Sequence, residues 1–201
     1  MIDGKKAEKH FGYFALYVTY FPQLVAGPIE RYTSLAPQLQ TKHTFEYKNL
    51  ANGLRLVLFG LFIKMVIADN CGQFADQIFS QSGSYSGSTL PLGTFFFAMQ
   101  IYGDFSGYSD MAVGLSRLFG FDLMQNFSFP YFSRNVAEFW RRWHISLSTW
   151  FRDYLYIPLG GNKKGKSKTI RNTFITFLVS GLWHGAHLKY LAWGGLHALY
   201  M

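Results

Sequence analysis

Asn172-Thr173-Phe174-Ile175-Thr176-Phe177-Leu178-Val179-Ser180-Gly181-Leu182-Trp183-His184-Gly185-Ala186-His187-Leu188 runs without an Asp, Glu, Lys or Arg. The stretch before it, Gly160 to Arg171, holds five basic residues and no acid. A helix needs about 20 residues, within a range near 17–25, to cross the hydrocarbon core of a bilayer. A short basic loop beside such a helix favours the cytoplasmic side. The two stretches therefore read together as a cytoplasmic loop and a membrane span. From Arg171 to His184 a helix would advance about 20 Å, at about 1.5 Å per residue. With Arg171 at the interface, His184 falls just past the bilayer midplane. An ionisable side chain is costly there, and by default it faces the protein interior and has a function. Gly181, three residues before it, and Gly185, one after, clear space for a close neighbour or a substrate. A packing histidine that donates to a backbone carbonyl accounts for the same spacing, and the spacing alone does not choose between the two.

The rest of the chain has the same character. Of 201 residues, 49% are hydrophobic, 19% are aromatic and only 15% are charged, against about 25% charged in a soluble domain. This argues against an ordinary soluble enzyme, and against disorder, which requires low hydrophobicity. Charge-free stretches also run from His10 to Ile29 and from Gln77 to Gly103. Leu50–Ala68 is a further candidate span, with Arg55 and Lys64 near its ends, where long basic side chains snorkel to the interface. Met111–Phe132 is apolar but interrupted by Arg117 and Asp122. The fold class expected is all-α: a multi-pass transmembrane helical bundle with interfacial and re-entrant helices. A net charge of +8 would suggest nucleic acid only as a surface patch, and no nucleic-acid partner is expected. The single cysteine, Cys71, excludes a disulfide framework and a cysteine zinc site. The chain stops inside an apolar run, Ala198-Leu199-Tyr200-Met201, which reads as a piece of a longer membrane protein.

Phe139 to Tyr154 reads as one amphipathic helix. At about 100° per residue, Trp140, Trp143, Leu147, Trp150, Phe151 and Tyr154 share one face, and Arg141, Arg142, Thr149, Arg152 and Asp153 share the other. Such a helix suits the membrane interface or the wall of a polar cavity. His144 falls on the border of the two faces. Asp104 is expected to cap a helix opened by Ser106 and Gly107, and Asn126-Phe127-Ser128 matches a glycosylation sequon by accident. Gly160 to Ser167 fits the phosphate-binding pattern G-x-x-x-x-G-K-S. However, no Asp or Glu follows Asp153 to hold a metal, and the following segment is apolar. A histidine can take a proton from a hydroxyl near neutral pH. There is no G-x-S-x-G elbow, H-E-x-x-H pair or H-x-x-x-x-D box. His184 and His187 lack a third ligand, so no metal is expected.

Four stretches together resemble the membrane-bound O-acyltransferase (MBOAT) family, and within it the alginate O-acetyltransferase branch. They are Phe21 to Arg31, Tyr102 to Ala112, Phe139 to Gly161, and Ser180 to Ala186 followed by Trp193-Gly194-Gly195-Leu196-His197. The resemblance implies that residues 1–201 are the central part of a single MBOAT membrane domain whose N- and C-terminal helices are missing. It implies that His184 is the catalytic histidine and His144 a second polar position of the active site. The implied activity moves an acyl group, acetyl foremost, from a cytoplasmic thioester donor to a hydroxyl of an exported polysaccharide such as alginate. The donor, acetyl-CoA or an acyl carrier, is a co-substrate, and no cofactor is bound permanently. The implied setting is the cell inner membrane, with lipid, polysaccharide and an extracytoplasmic acyltransferase or carrier protein as partners. Transfer of D-alanine to teichoic acid, a transporter or channel segment, and a nucleotide-driven component remain as alternatives.

One outcome follows from the basic loop. Lys166→Ala should leave acyl transfer by the full-length protein nearly intact, because Lys166 is one of five positive charges there. A magnesium-dependent ATP complex, measured by calorimetry and lost on that change, would overturn this reading.

Overall fold

The computed structural model describes residues 8–201. All regular elements among them are helical, and no strand forms. The chain divides into two compact units, one up to Gln125 and one from Asn126 onward.

The first unit is organised by one long helix. Helix α3 (Tyr47–Phe62), a π-helical turn (Ile63–Ala68) and α4 (Asp69–Ser80) run without interruption. Over Tyr47–Ser80 they form the one helix among the described residues that is long and apolar enough to cross a membrane, with a mean hydropathy of 1.8. The expected span Leu50–Ala68 lies inside it, but the helix continues beyond Ala68 through all of α4. Lys64 therefore lies within the helix, not at its end, and does not snorkel. Its ammonium pairs with Asp69, further along the same helix, and with Asp104 Oδ1 at 2.7 Å.

Helix α5 (Thr89–Leu118) packs along α3. Their contact is backbone to backbone. A methyl group on Gly53 would lie 2.7 Å from the Gly114 carbonyl oxygen, and one on Gly107 would lie 2.7 Å from that of Gly60. These pairings run in opposite directions along the two helices, so the helices are antiparallel. Small residues permit this approach. Gly120, at φ +83°, ends α5: Phe121 N–H reaches back to Ser116 O at 3.0 Å, a Schellman closure.

Three expectations for this unit are corrected. His10 to Ile29 is not one span. Its helix α1 (Phe11–Val18) has eight residues, and a 3₁₀ turn (Phe21–Gln23) containing Pro22 follows. Gln77 to Gly103 is broken at Gln81–Ser88 between α4 and α5. Asp104 caps nothing, since α5 passes through it and continues to Leu118; its carboxylate serves Lys64 instead. Before α3, helix α2 (Tyr32–Leu39) contributes Leu35 to a small core with Tyr20, Val113 and Leu123.

The second unit contains α6 (Val136–Arg142), α7 (Ile145–Phe151), a π-helical turn (Arg152–Tyr156), α8 (Lys166–His184) and α9 (Leu188–Tyr200). Helices α8 and α9 form an antiparallel hairpin with close contacts at small residues. Gly181 lies against the Tyr190 carbonyl and Gly194 against that of Phe177. The run Asn172–Leu188 is therefore not one helix: α8 starts earlier, at Lys166, and stops at His184.

Enlarging a contact glycine tests the α3–α5 interface. Gly107→Leu should destabilise the full-length protein by about 1–3 kcal/mol, the usual cost of overpacking. Gly83→Ala, with nothing within 4 Å of its added carbon, should stay within about 0.5 kcal/mol of native. Thermal unfolding in detergent, followed by size-exclusion fluorescence, measures both.

Candidate functional site

The two histidines singled out in the sequence both belong to the second unit. His144 stands between α6 and α7 with φ +44° and ψ +55°, the left-handed region that a non-glycine residue occupies at a cost. The expected continuous helix from Phe139 to Tyr154 is thus broken. The cause lies in an earlier segment, at Asn126. The carbonyl of Asn126 accepts the Ile145 N–H at 2.9 Å, and its side-chain Oδ1 accepts the Ser146 N–H at 3.2 Å and the Ser146 hydroxyl at 2.9 Å. Asn126 thereby caps the start of α7 from outside the helix, satisfying N–H groups that have no intrahelical partner. The break also ends the shared face expected of the tryptophans. Trp143 meets Phe127 edge-on at 5.1 Å, whereas Trp150 and Tyr154 are exposed.

The His144 side chain is buried, 7% exposed, and its Nδ1 lies 3.0 Å from Asn126 Oδ1. Burial, and after it the charge of His184, pull its pKa down to about 4. His144 is therefore uncharged at neutral pH, and the two imidazoles are within electrostatic reach of each other.

A second set of contacts holds the 126–128 segment in place. Asn135 caps α6 by accepting the Glu138 N–H at 2.8 Å. Glu138 accepts the Arg134 N–H and Nε, each at 3.1 Å, and the Arg142 Nη2 at 2.6 Å. These donors, the Arg134 backbone N–H foremost, hold its carboxyl at about 2. Arg142 in turn accepts the Ser128 N–H through its carbonyl at 2.9 Å, and donates Nη1 to the Ser128 carbonyl at 3.4 Å.

His184 is the last residue of α8. It is exposed among the described residues, so the interior, mid-helix position expected from a span reaching Leu188 is not what the structure has. The helix stops because the chain closes tightly on α9: a methyl group on Gly185 would lie 2.5 Å from a ring carbon of Tyr190. The His184 ring is edge-on to Trp183 at 4.9 Å and to Trp193 at 5.2 Å. Trp193 also meets Trp140 at 5.7 Å and His197 at 4.7 Å. His197 thus joins the aromatic cluster beside His184, a placement its sequence position did not disclose. His187 caps α9 instead of facing His184, its Nδ1 accepting the Lys189 N–H at 3.3 Å. Among the described residues no three His, Cys, Asp or Glu side chains converge as a metal set.

A cavity of about 670 Å³ lies beside this cluster, lined by Trp140, Arg141, Ser148, Arg152, Thr176 and Ser180 among others. Neither His144 nor His184 lines it. The Gly160–Ser167 loop lacks a strand before it: the π-helical turn and further turns precede it. Its glycines serve a folded turn closed by the fully buried Asn172, whose Nδ2 donates to the Gly161 carbonyl at 3.0 Å and the Leu159 carbonyl at 3.3 Å.

Asn126 is the residue that sequence reasoning missed, set aside as part of an accidental sequon. The available signal was a primary amide inside an apolar stretch, which has to find partners once buried.

An all-helical chain with a long apolar helix, carrying two neighbouring histidines at helix boundaries, fits a membrane-embedded acyltransferase. The chain belongs to the membrane-bound O-acyltransferase (MBOAT) family, whose profile it matches over residues 6–201, and it is accordingly a membrane protein. It is 47% identical over 189 residues to a probable alginate O-acetylase, AlgI, of Pseudomonas fluorescens, covering 94% of this chain and 38% of that protein. It is 44% identical to a peptidoglycan O-acetyltransferase of Helicobacter pylori, covering 94% of this chain and 36% of that protein. It is 32% identical to a teichoic acid D-alanyltransferase of Bacillus subtilis, covering 92% of this chain and 49% of that protein. The chain thus spans between about a third and a half of the length of these relatives.

Proposed function

We propose that this chain is the central, histidine-bearing part of a single, multi-pass MBOAT domain in the inner membrane. Its reaction transfers an acetyl group from a thioester donor, acetyl-CoA or an acyl carrier, on the cytoplasmic side to a hydroxyl of an exported polysaccharide such as alginate. The observation that carries this reading is the pairing of His184 and His144 within electrostatic reach, in a chain 47% and 44% identical to proteins named for O-acetylation. The multi-pass reading draws support from helix lengths. The 34 residues of Tyr47–Ser80 and the 19 of α8 extend about 51 and 28 Å at about 1.5 Å per residue. An extracytoplasmic acyltransferase or carrier protein would complete the export route.

In the proposed step, His184 takes the proton of the acceptor hydroxyl as its oxygen attacks the thioester carbonyl carbon. The new carbon–oxygen bond forms, the carbon–sulfur bond breaks, and the departing sulfur receives the proton from His184. Thioester and alcohol become ester and thiol, with no external reactant. His144 orients the substrate or stabilises charge at the carbonyl oxygen. The similarity to a D-alanyltransferase supports a second reading, in which D-alanine replaces acetyl and teichoic acid is the acceptor. Mass spectrometry of the cell-surface polymer separates the two.

In the full-length protein, His184→Ala should abolish acyl transfer while membrane insertion and abundance stay near native. Retained activity, or folded protein lost in proportion to activity, overturns the assignment. His144→Ala should lower turnover by about 10²–10³, as for the loss of one positioned donor, and His144→Gln should recover part of that. Radiolabelled acetyl transfer in membranes measures all three variants.

A further inference from the structure

The contacts of Asn126 go further than capping. A side-chain amide presents an oxygen, which only accepts, and an NH₂ group, which only donates. Which of them faces His144 is settled by Ser146. Its backbone N–H points at Asn126 Oδ1 at 3.2 Å and its hydroxyl lies 2.9 Å from the same atom. A backbone N–H has no use for an NH₂ group, so that position must be the oxygen. The same oxygen lies 3.0 Å from His144 Nδ1, and two acceptors do not bond each other, so His144 Nδ1 carries the proton. In a neutral imidazole one nitrogen donates and the other accepts. Nε2 is then the nitrogen with the lone pair. All three residues are nearly excluded from water: Asn126 is 2% exposed, Ser146 0% and His144 7%. Little solvent is available to stabilise the other tautomer.

We propose that Asn126 is a positioning residue that locks His144 in the Nδ1–H tautomer, making its Nε2 a hydrogen-bond acceptor for the attacking hydroxyl. This rests on the function proposed above and narrows it: of the two roles open to His144, orienting the substrate remains, and donation to the carbonyl oxygen does not. The left-handed backbone at His144 fits this division of labour. The residue before a helix ordinarily spends its side chain on capping, but Asn126 performs that task and the imidazole of His144 is spared.

The test uses the full-length protein in membranes, with acetyl transfer and ¹⁵N-histidine spectra as separate readouts. The His144 signals, assigned by their loss in His144→Gln, should show a protonated Nδ1 and an unprotonated Nε2. An Nε2–H tautomer in the native protein overturns the proposal whatever the kinetics. Asn126→Ala should lower kcat by about 10²-fold or more, in the range seen when a histidine loses its orienting partner, with less than about threefold change in acceptor KM. Asn126→Asp keeps an acceptor oxygen in place, so it should fold and recover kcat to within about tenfold of native; it carries the test if the alanine variant fails to fold. The double variant Asn126→Ala/His144→Ala should be no slower than His144→Ala alone, because residues acting as one unit are not additive. A cost that multiplies in the double variant, or an aspartate variant no better than alanine, sinks the proposal and leaves the function standing. If His144→Ala itself retains full activity, the role of His144 falls, and the proposal with it.

Discussion

The break between α6 and α7 is the constraint on which the second unit depends. A continuous helix from Phe139 to Tyr154 would bond each N–H to the carbonyl four residues back, and His144 would be one more side chain on its surface. The structure instead gives the first N–H groups of α7 to Asn126, and turns the backbone at His144 into the left-handed region. A strained residue persists only where its surroundings determine it on several sides. Here they do so twice, through the Asn126 contacts and through the Glu138–Arg142–Ser128 ties that hold the 126–128 segment in place. The charges of α6 thus serve the geometry of His144 without touching it.

The first unit solves a different problem, that of bringing two apolar helices together where burial from water supplies little drive. It relies on close approach. Gly53 with Gly114, and Gly60 with Gly107, place main chain against main chain, where dispersion contacts and not side-chain volume supply the attraction. The same device recurs in the α8–α9 hairpin at Gly181 and Gly194. The one strongly polar feature at the middle of the long helix, Lys64, is tied to Asp104 on α5 and to Asp69. The pairing falls at the π-helical turn, a feature that often marks functional positions in helices.

How much of this was legible depended on whether the cause was local. The helical class was readable because charge-free runs and the near absence of strand signals are local. His184 was readable because an ionisable side chain in a long charge-free run is conspicuous without any neighbour. Helix ends were not readable where their cause is tertiary. Nothing near Gly185 announces that Tyr190 will press against it, and nothing near Lys64 announces Asp104, which belongs to a different helix. The break at His144 was the hardest case. The hydrophobic periodicity of Phe139–Tyr154 is a good helical signal, and the residue that interrupts it belongs to another segment. A buried amide leaves only a faint trace in sequence, a polar residue where an apolar one would pack as well, and Asn126-Phe127-Ser128 offered a competing explanation for it.

The two histidines stand at opposite kinds of helix boundary. His184 closes α8, where the unsatisfied carbonyls leave partial negative charge that favours a cation within the last turn. His144 precedes α7, where the unsatisfied N–H groups leave partial positive charge that disfavours one. Burial adds to the second effect and keeps His144 neutral, its pKa brought down to about 4. In the proposed reaction one imidazole must become positively charged for a moment and the other must not, since two adjacent imidazolium ions would repel each other strongly in a site of low dielectric. The helix termini sort the pair accordingly. The residue placed to hold a proton is His184, and the one placed to accept a hydrogen bond without taking the proton is His144. Two identical side chains thus acquire different roles from backbone direction and burial.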